Sequence, residues 1–148
     1  MKNNNTAKAT ITIHATAEQV WDALTTPEII KQYFFGTNAI SDWKEGSPII
    51  FKGEWEGKSY EDKGTILVAE APKLFRYSYW SSMSGLEDRP ENYFTITYEL
   101  FENEGDTMLT VTQENIRDEK VAEHTEENWR KVLNDMKALL ERVAALSR

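Results

Sequence analysis

The strongest periodic signal lies at the C-terminal end of the chain. Across residues 125–146 the large apolar side chains are Trp129, Val132, Leu133, Met136, Leu139, Leu140 and Val143. They recur at steps of three and four, which puts them on one wide stripe of an α-helix. Arg130, Lys131, Asn134, Asp135, Lys137, Glu141 and Arg142 fall on a wet opposite face, and neither Pro nor Gly interrupts the run. Such a helix is roughly 33 Å long and needs a broad apolar surface to lie on.

The upstream pattern supplies one. Residues 1–6 are a short, polar, Asn-rich stretch and read as a disordered tip. Residues 7–14 alternate, with Ala9, Ile11 and Ile13 on one side and Thr10, Thr12 and His14 on the other, as in a half-buried strand. Thr16 and Gln19 form a capping-box pattern that opens a short helix carrying Val20, Trp21 and Leu24. Pro27 then opens a second helix, with Ile29, Ile30, Tyr33 and Phe34 on it and Gly36 as its stop. From residue 39 the period becomes two. Strands are predicted over 39–43, 47–55, 58–69, 74–82, 93–102 and 107–115, separated by turns at 44–46, Glu56-Gly57, 71–73 and 103–106. Residues 83–92 form the longest irregular piece. Short turns between consecutive strands imply antiparallel pairing. The order is β-α-α-β6-α: an α+β fold with helices on one face of a curved antiparallel sheet. No repeat, linker or second domain is visible, so residues 7–148 read as one domain.

The same residues carry a family resemblance. The segments are residues 13–28 with the box Val20-Trp21-Asp22-Ala23-Leu24-Thr25-Thr26-Pro27-Glu28, then Gly64-Thr65-Ile66-Leu67-Val68 with Ala71-Pro72-Lys73-Leu74. They continue with Tyr98-Glu99-Leu100, residues 107–112, and the helix from Trp129 to Glu141. Together they resemble the START-like (SRPBCC) superfamily, and within it the family named after the activator of the heat-shock-protein-90 ATPase. The resemblance implies a helix-grip fold, in which the sheet wraps around the C-terminal helix. It also implies a space between sheet and helix that in relatives often holds a hydrophobic ligand. Relatives include lipid carriers, plant hormone-binding proteins and polyketide cyclases. The name-giving co-chaperone places such a domain behind a separate N-terminal one; this chain is expected to be the stand-alone domain.

Composition narrows the partners. The net charge is −8, which argues against nucleic acid or an anionic membrane surface. No apolar run is long enough to insert into a membrane. Without a signal sequence or any cysteine, a cytoplasmic location is expected, with no disulfide and no thiol catalysis. No metal-ligand spacing, phosphate-binding loop or nucleophile elbow occurs, so neither metal nor cofactor is expected.

Aromatics make up 11% of the chain and include five Trp, which suits either a ligand pocket or a filled core. Trp21, Phe51, Trp55, Tyr77, Trp80, Phe94, Tyr98 and Trp129 are the candidates near the sheet–helix space. Leu133 and Met136 either line that space or plug it. Gln113 ends the Leu109–Val111 face and points inward by period two; as an amide it can donate and accept, but not act as a base. Arg76 anchors an anionic group if it faces the cavity, and is a surface charge otherwise. His14 and His124 share no motif, and no catalytic residue is identified. Glu54, Glu56, Glu61, Asp62, Glu87, Asp88 and Glu91 read as solvating groups. The loop over residues 83–90 is either a lid or a plain connection. The leading expectation is a module that binds a small apolar or amphipathic molecule. Next comes a protein-interaction module, with a chaperone contact weakly implied, and last a cyclase or hydrolase.

Overall fold

The structure is a computed structural model that describes residues 5–82 and 84–146, without the side chains of Trp55 and residues 143–146. Its elements are β1 (Asn5–Ile13), α1 (Ala17–Thr25), α2 (Pro27–Tyr33), β2 (Asn38–Ser41), β3 (Pro48–Trp55), β4 (Lys58–Glu70), β5 (Leu74–Tyr79), β6 (Phe94–Asn103), β7 (Asp106–Ile116) and α3 (Glu119–Leu146), with a 3-10 turn at Pro90–Asn92. The strands form one antiparallel sheet in the order β1-β7-β6-β5-β4-β3-β2. The sheet wraps around α3 as a helix grip, the predicted α+β arrangement.

Local chemistry explains most boundaries. Thr16 Oγ1 accepts from Gln19 N–H at 3.2 Å while Gln19 Oε1 accepts from Thr16 N–H at 2.9 Å, so the predicted capping box starts α1. The β3–β4 and β6–β7 hairpins turn on Glu56-Gly57 and Glu104-Gly105, with φ of 50° and 81°, and 53° and 85°. Those left-handed pairs match the twist of the flanking strands, and the glycine removes the steric penalty at the second position.

Several boundaries differ from the pattern reading: β2 covers Asn38–Ser41 rather than 39–43, and β5 ends at Tyr79 rather than at residue 82. Asn5 and Thr6 belong to β1 rather than to a polar tip; residues 1–4 of that tip lie outside the described residues. Helix α3 begins at Glu119, six residues before the stretch predicted over 125–146. The Asp118 carboxylate accepts from Val121 N–H at 2.8 Å and satisfies an otherwise orphaned donor there. The added turns bury only Ala122 and part of Val121, too little apolar signal to extend the stripe.

Strand β4 gives the sheet its curve. Residues up to Thr65 pair with β3, and residues from Ile66 pair with β5. Gly64 lies at the changeover against the β5 backbone: a Cβ there would sit 1.6 Å from the Ser78 carbonyl oxygen. Only glycine permits that approach.

The concave face reads off the register. One row runs Phe75, Tyr98, Val111 and Ala9 across β5, β6, β7 and β1; the next runs Ile66, Tyr77, Ile96, Gln113 and Ala7. The α3 stripe of Trp129, Val132, Leu133 and Met136 packs onto this face, with Leu133 and Met136 sealed from solvent. Each such side chain contributes about 1.5–3 kcal/mol of burial. Val143, the last predicted member of the stripe, has its side chain outside the described residues.

Candidate functional site

Between α1, α2 and the sheet the core is filled. The interstice among Leu24, Tyr33, Ile49, Phe75, Tyr77 and Tyr98 is only about 10 Å³, at or below what one water requires. Toward the N-terminal half of α3 the sheet and helix part. A cavity of about 490 Å³ opens there between the α2–β2 connection (Phe34, Phe35, Thr37), the sheet (Phe51, Tyr60, Asp62, Tyr79) and α3 (His124, Asn128, Lys131). A smaller space of about 230 Å³ shares Phe34, Phe35, Tyr79 and Asn128 with it and reaches Gln113, Trp129 and Val132. The larger volume falls within the usual range for small-molecule pockets.

Aromatic rings build the wall. Phe34 stacks on Phe51 at 6.2 Å with planes 18° apart, and meets Trp129 edge-on at 5.9 Å. Phe51 meets Tyr79 at 5.7 Å and 63°. Such offset and edge-on contacts are the favoured aromatic arrangements, and they stiffen the wall. At the rim, Phe35 is 44% exposed and Lys131 Nζ lies 5.7 Å above its ring.

The polar groups in the floor are mostly occupied. Asp62 is 6% exposed. Its Oδ2 accepts from the Tyr79 hydroxyl at 2.5 Å, and its Oδ1 accepts from the Ser82 N–H at 2.8 Å and the Ser82 hydroxyl at 3.1 Å. Burial, reinforced by the Asp62 charge, pushes the Tyr79 phenol well above its ordinary pKa. Burial does the same to Tyr33, Tyr77 and Tyr98. All four therefore stay protonated near neutral pH and serve as hydrogen-bonding groups rather than bases. The hydroxyls of Thr37 and Tyr60 share a 2.5 Å hydrogen bond beside the cavity. Gln113 Oε1 accepts from Trp129 Nε1 at 2.9 Å, which ties the sheet to α3. The arrangement suits holding a molecule: the aromatic wall supplies area, and the hydroxyls and amides supply orientation. Among the described residues no group of three or more His, Asp and Glu could hold a metal ion, and no helix is long and apolar enough to cross a membrane.

The sequence candidates fall into distinct places. Phe51, Tyr77, Gln113 and Trp129 line the two connected spaces, and Tyr98 lies beneath them against Trp129 at 5.9 Å. Leu133 and Met136 line neither; they plug the grip. Trp21 packs edge-on against Phe75 at 5.7 Å, away from the cavity. Arg76 lies in the convex row with Thr97, Thr112 and Lys8, and its Nε donates to Thr97 Oγ1 at 3.0 Å. Trp80 also follows the convex side, where its Nε1 donates to the Leu86 carbonyl and Lys63 Nζ lies above its ring. Alternation along β5 decides both: Phe75, Tyr77 and Tyr79 turn inward, so Arg76 and Trp80 turn out. Phe94 borders a separate space of about 220 Å³ with Leu86, Ile116 and Val121. The Trp55 side chain lies outside the described residues.

Asp62 is a correction. Grouped with its acidic neighbours it read as a solvating charge, yet period two along β4 turns Tyr60, Asp62 and Ile66 to the same side. Tyr79 was equally legible from Phe75 and Tyr77. Phe34, Phe35 and Thr37 carry no period, since they lie in a connection. His124 is exposed and lies at the cavity rim. None of the described residues of the irregular loop lines the cavity. Asp88 pins it to the convex side by a 2.5 Å ion pair with Lys63 and a 2.5 Å hydrogen bond from the Tyr93 hydroxyl.

Comparison with known proteins agrees with this architecture. No curated protein matches the sequence significantly. The solution structure of a protein from Cytophaga hutchinsonii is 44% identical, with 98% of this chain and 99% of that one covered and a TM-score of 0.85. The Aha1 dimer from Colwellia psychrerythraea is 20% identical, with 93% and 96% covered and a TM-score of 0.73. An HSP90 activator from Plasmodium falciparum is 19% identical, with 92% and 96% covered and a TM-score of 0.71. At those lower identities the last two share the fold. The sequence profile of the family described as "Activator of Hsp90 ATPase homolog 1-like protein" matches residues 14–141. The chain belongs to that family.

Proposed function

We propose that this domain is a binding module that holds a small amphipathic molecule in the space between the N-terminal half of α3, the α2–β2 connection and strands β3 to β5. The observation that carries this reading is the cavity of about 490 Å³ with walls of Phe34, Phe35, Phe51 and Tyr79. Affinity comes from apolar area removed from water, at about 25 cal/mol per Å² before ordering losses. The Thr37–Tyr60 hydroxyls and the Asn128 amide orient the ligand's polar end. The tyrosines are protonated, and the Asp62 oxygens already accept three hydrogen bonds, so binding without turnover is favoured over cyclase or hydrolase chemistry. Calorimetric titration with fatty acids, flavonoids and polyketide-like aromatics tests the reading. A saturable response is expected, and Asn128→Trp, which adds bulk at an exposed rim position, is expected to abolish it. No saturable heat across such a library refutes it.

A second reading is a co-chaperone-like contact, favoured by the family profile and by the likeness to the Plasmodium falciparum activator. A stoichiometric complex with an Hsp90 chaperone that survives Asn128→Trp would favour this reading over the first.

A further inference from the structure

We infer that the cavity selects an aromatic molecule bearing a carboxylate, with the rings inside against Phe34, Phe51 and Tyr79 and the anionic end at the rim beside Lys131. This rests on the binding reading above and names the ligand class for the same site.

Three observations set the polarity. The wall is aromatic, and Phe34 and Phe51 lie nearly parallel, 18° apart, so flat rings match it better than a flexible chain does. Among the described lining residues the one carboxylate is Asp62, which already accepts three hydrogen bonds from Tyr79 and Ser82 and so keeps only one lone-pair site on Oδ2 for a ligand donor. At the rim the cation is Lys131, which follows His124 and Asn128 on α3 at steps of four and three. Its ammonium lies over the Phe35 ring, and among the described residues no ion pair within 4.0 Å involves it. Glu127 and Asp135, four residues to either side on the helix, are exposed and screened by water and salt. A cation–π contact at an exposed rim is weak, so Lys131 is free to swing to a carboxylate emerging from the cavity. The imidazole of His124 and the amide of Asn128 add hydrogen-bonding groups beside it. An anionic ligand is thus recognised locally although the chain carries −8 overall.

The test uses three probes with one ring system: naphthylacetate, naphthylacetamide and naphthylethylamine. Dissociation constants come from calorimetry, and binding at the cavity is verified by amide shifts of Phe35 and Lys131 in two-dimensional NMR. Naphthylacetate is expected to bind about five- to tenfold more tightly than the amide, with the amine weakest. Lys131→Gln is expected to erase the difference between acetate and amide, and Lys131→Arg to keep it. Equal affinities in the native protein, or a preference that survives Lys131→Gln, overturn the selectivity and leave the binding reading intact. If none of the three probes binds while a fatty acid or flavonoid does, the selectivity falls and the binding reading stands; if nothing in the wider library binds either, both fall.

Discussion

The Trp129–Gln113 hydrogen bond joins the helix to the sheet at the edge of the cavity, and its energetics are open to a double-mutant cycle. Trp129 is 6% exposed and Gln113 8% exposed, and the bond between them is 2.9 Å. Trp129→Phe keeps most of the ring contacts with Phe34 and Tyr98, both at 5.9 Å, but leaves the Gln113 carbonyl without its donor. An orphaned buried polar group costs about 1–3 kcal/mol. Gln113 borders the smaller space, where a water can partly replace the indole, so about 1–2 kcal/mol is expected. Gln113→Leu strands the indole N–H and costs a similar amount. Replacing both partners by apolar groups removes the polar mismatch, so the double variant loses only the packing difference, about 1 kcal/mol. The cycle therefore closes with a favourable coupling of at least about 1 kcal/mol between the two substitutions. Urea melts followed by circular dichroism measure it without relying on Trp fluorescence. In thermal scans each single change lowers Tm by roughly 2–8 °C for a domain of this size. Additivity within about 0.5 kcal/mol would refute the claim that these groups satisfy one another in a dry contact.

Other substitutions probe the frame. Gly64→Ala drives a Cβ into the Ser78 carbonyl; because backbone on the neighbouring strand must move, a loss above about 3 kcal/mol is expected in urea denaturation. Thr16→Ala removes the α1 cap and is expected to cost about 1 kcal/mol, seen as an unchanged m-value with a lower midpoint. Asp88 titrates below the ordinary carboxylate value, because it accepts hydrogen bonds from Lys63 and Tyr93 and lies beside the Lys63 charge. Its folded pKa is depressed, so its contribution is fully present above the unfolded pKa and is lost as pH falls through the folded value. Side-chain NMR should show a midpoint below the ordinary value in the native protein, moving up in Lys63→Met; equal midpoints would contradict the pairing.

The amino-acid pattern alone determined the element order, the antiparallel hairpins and the stripe that α3 presents to the sheet. Those features rest on local chemistry: the Thr16 cap, glycine after a left-handed turn residue, and periods of two and near four. Period two also determined which residues face inward, and it holds for Asp62 on β4 and Tyr79 on β5; net acidity around Asp62 says nothing of its direction. The tertiary structure alone decided where the grip is filled and where it is open. Leu133, Met136 and Trp129 share one stripe, yet the first two are sealed beneath the helix and the third borders a space, because at that end the α2–β2 connection places Phe34 and Phe35 as a wall opposite Tyr79 and Asn128. Phe34, Phe35 and Thr37 come from a connection without periodicity, His124, Asn128 and Lys131 from the polar side of α3, and Tyr60 and Asp62 from a strand bent at Gly64. Each lies far from the others in sequence, and no local propensity encodes a distance between them; packing sets it.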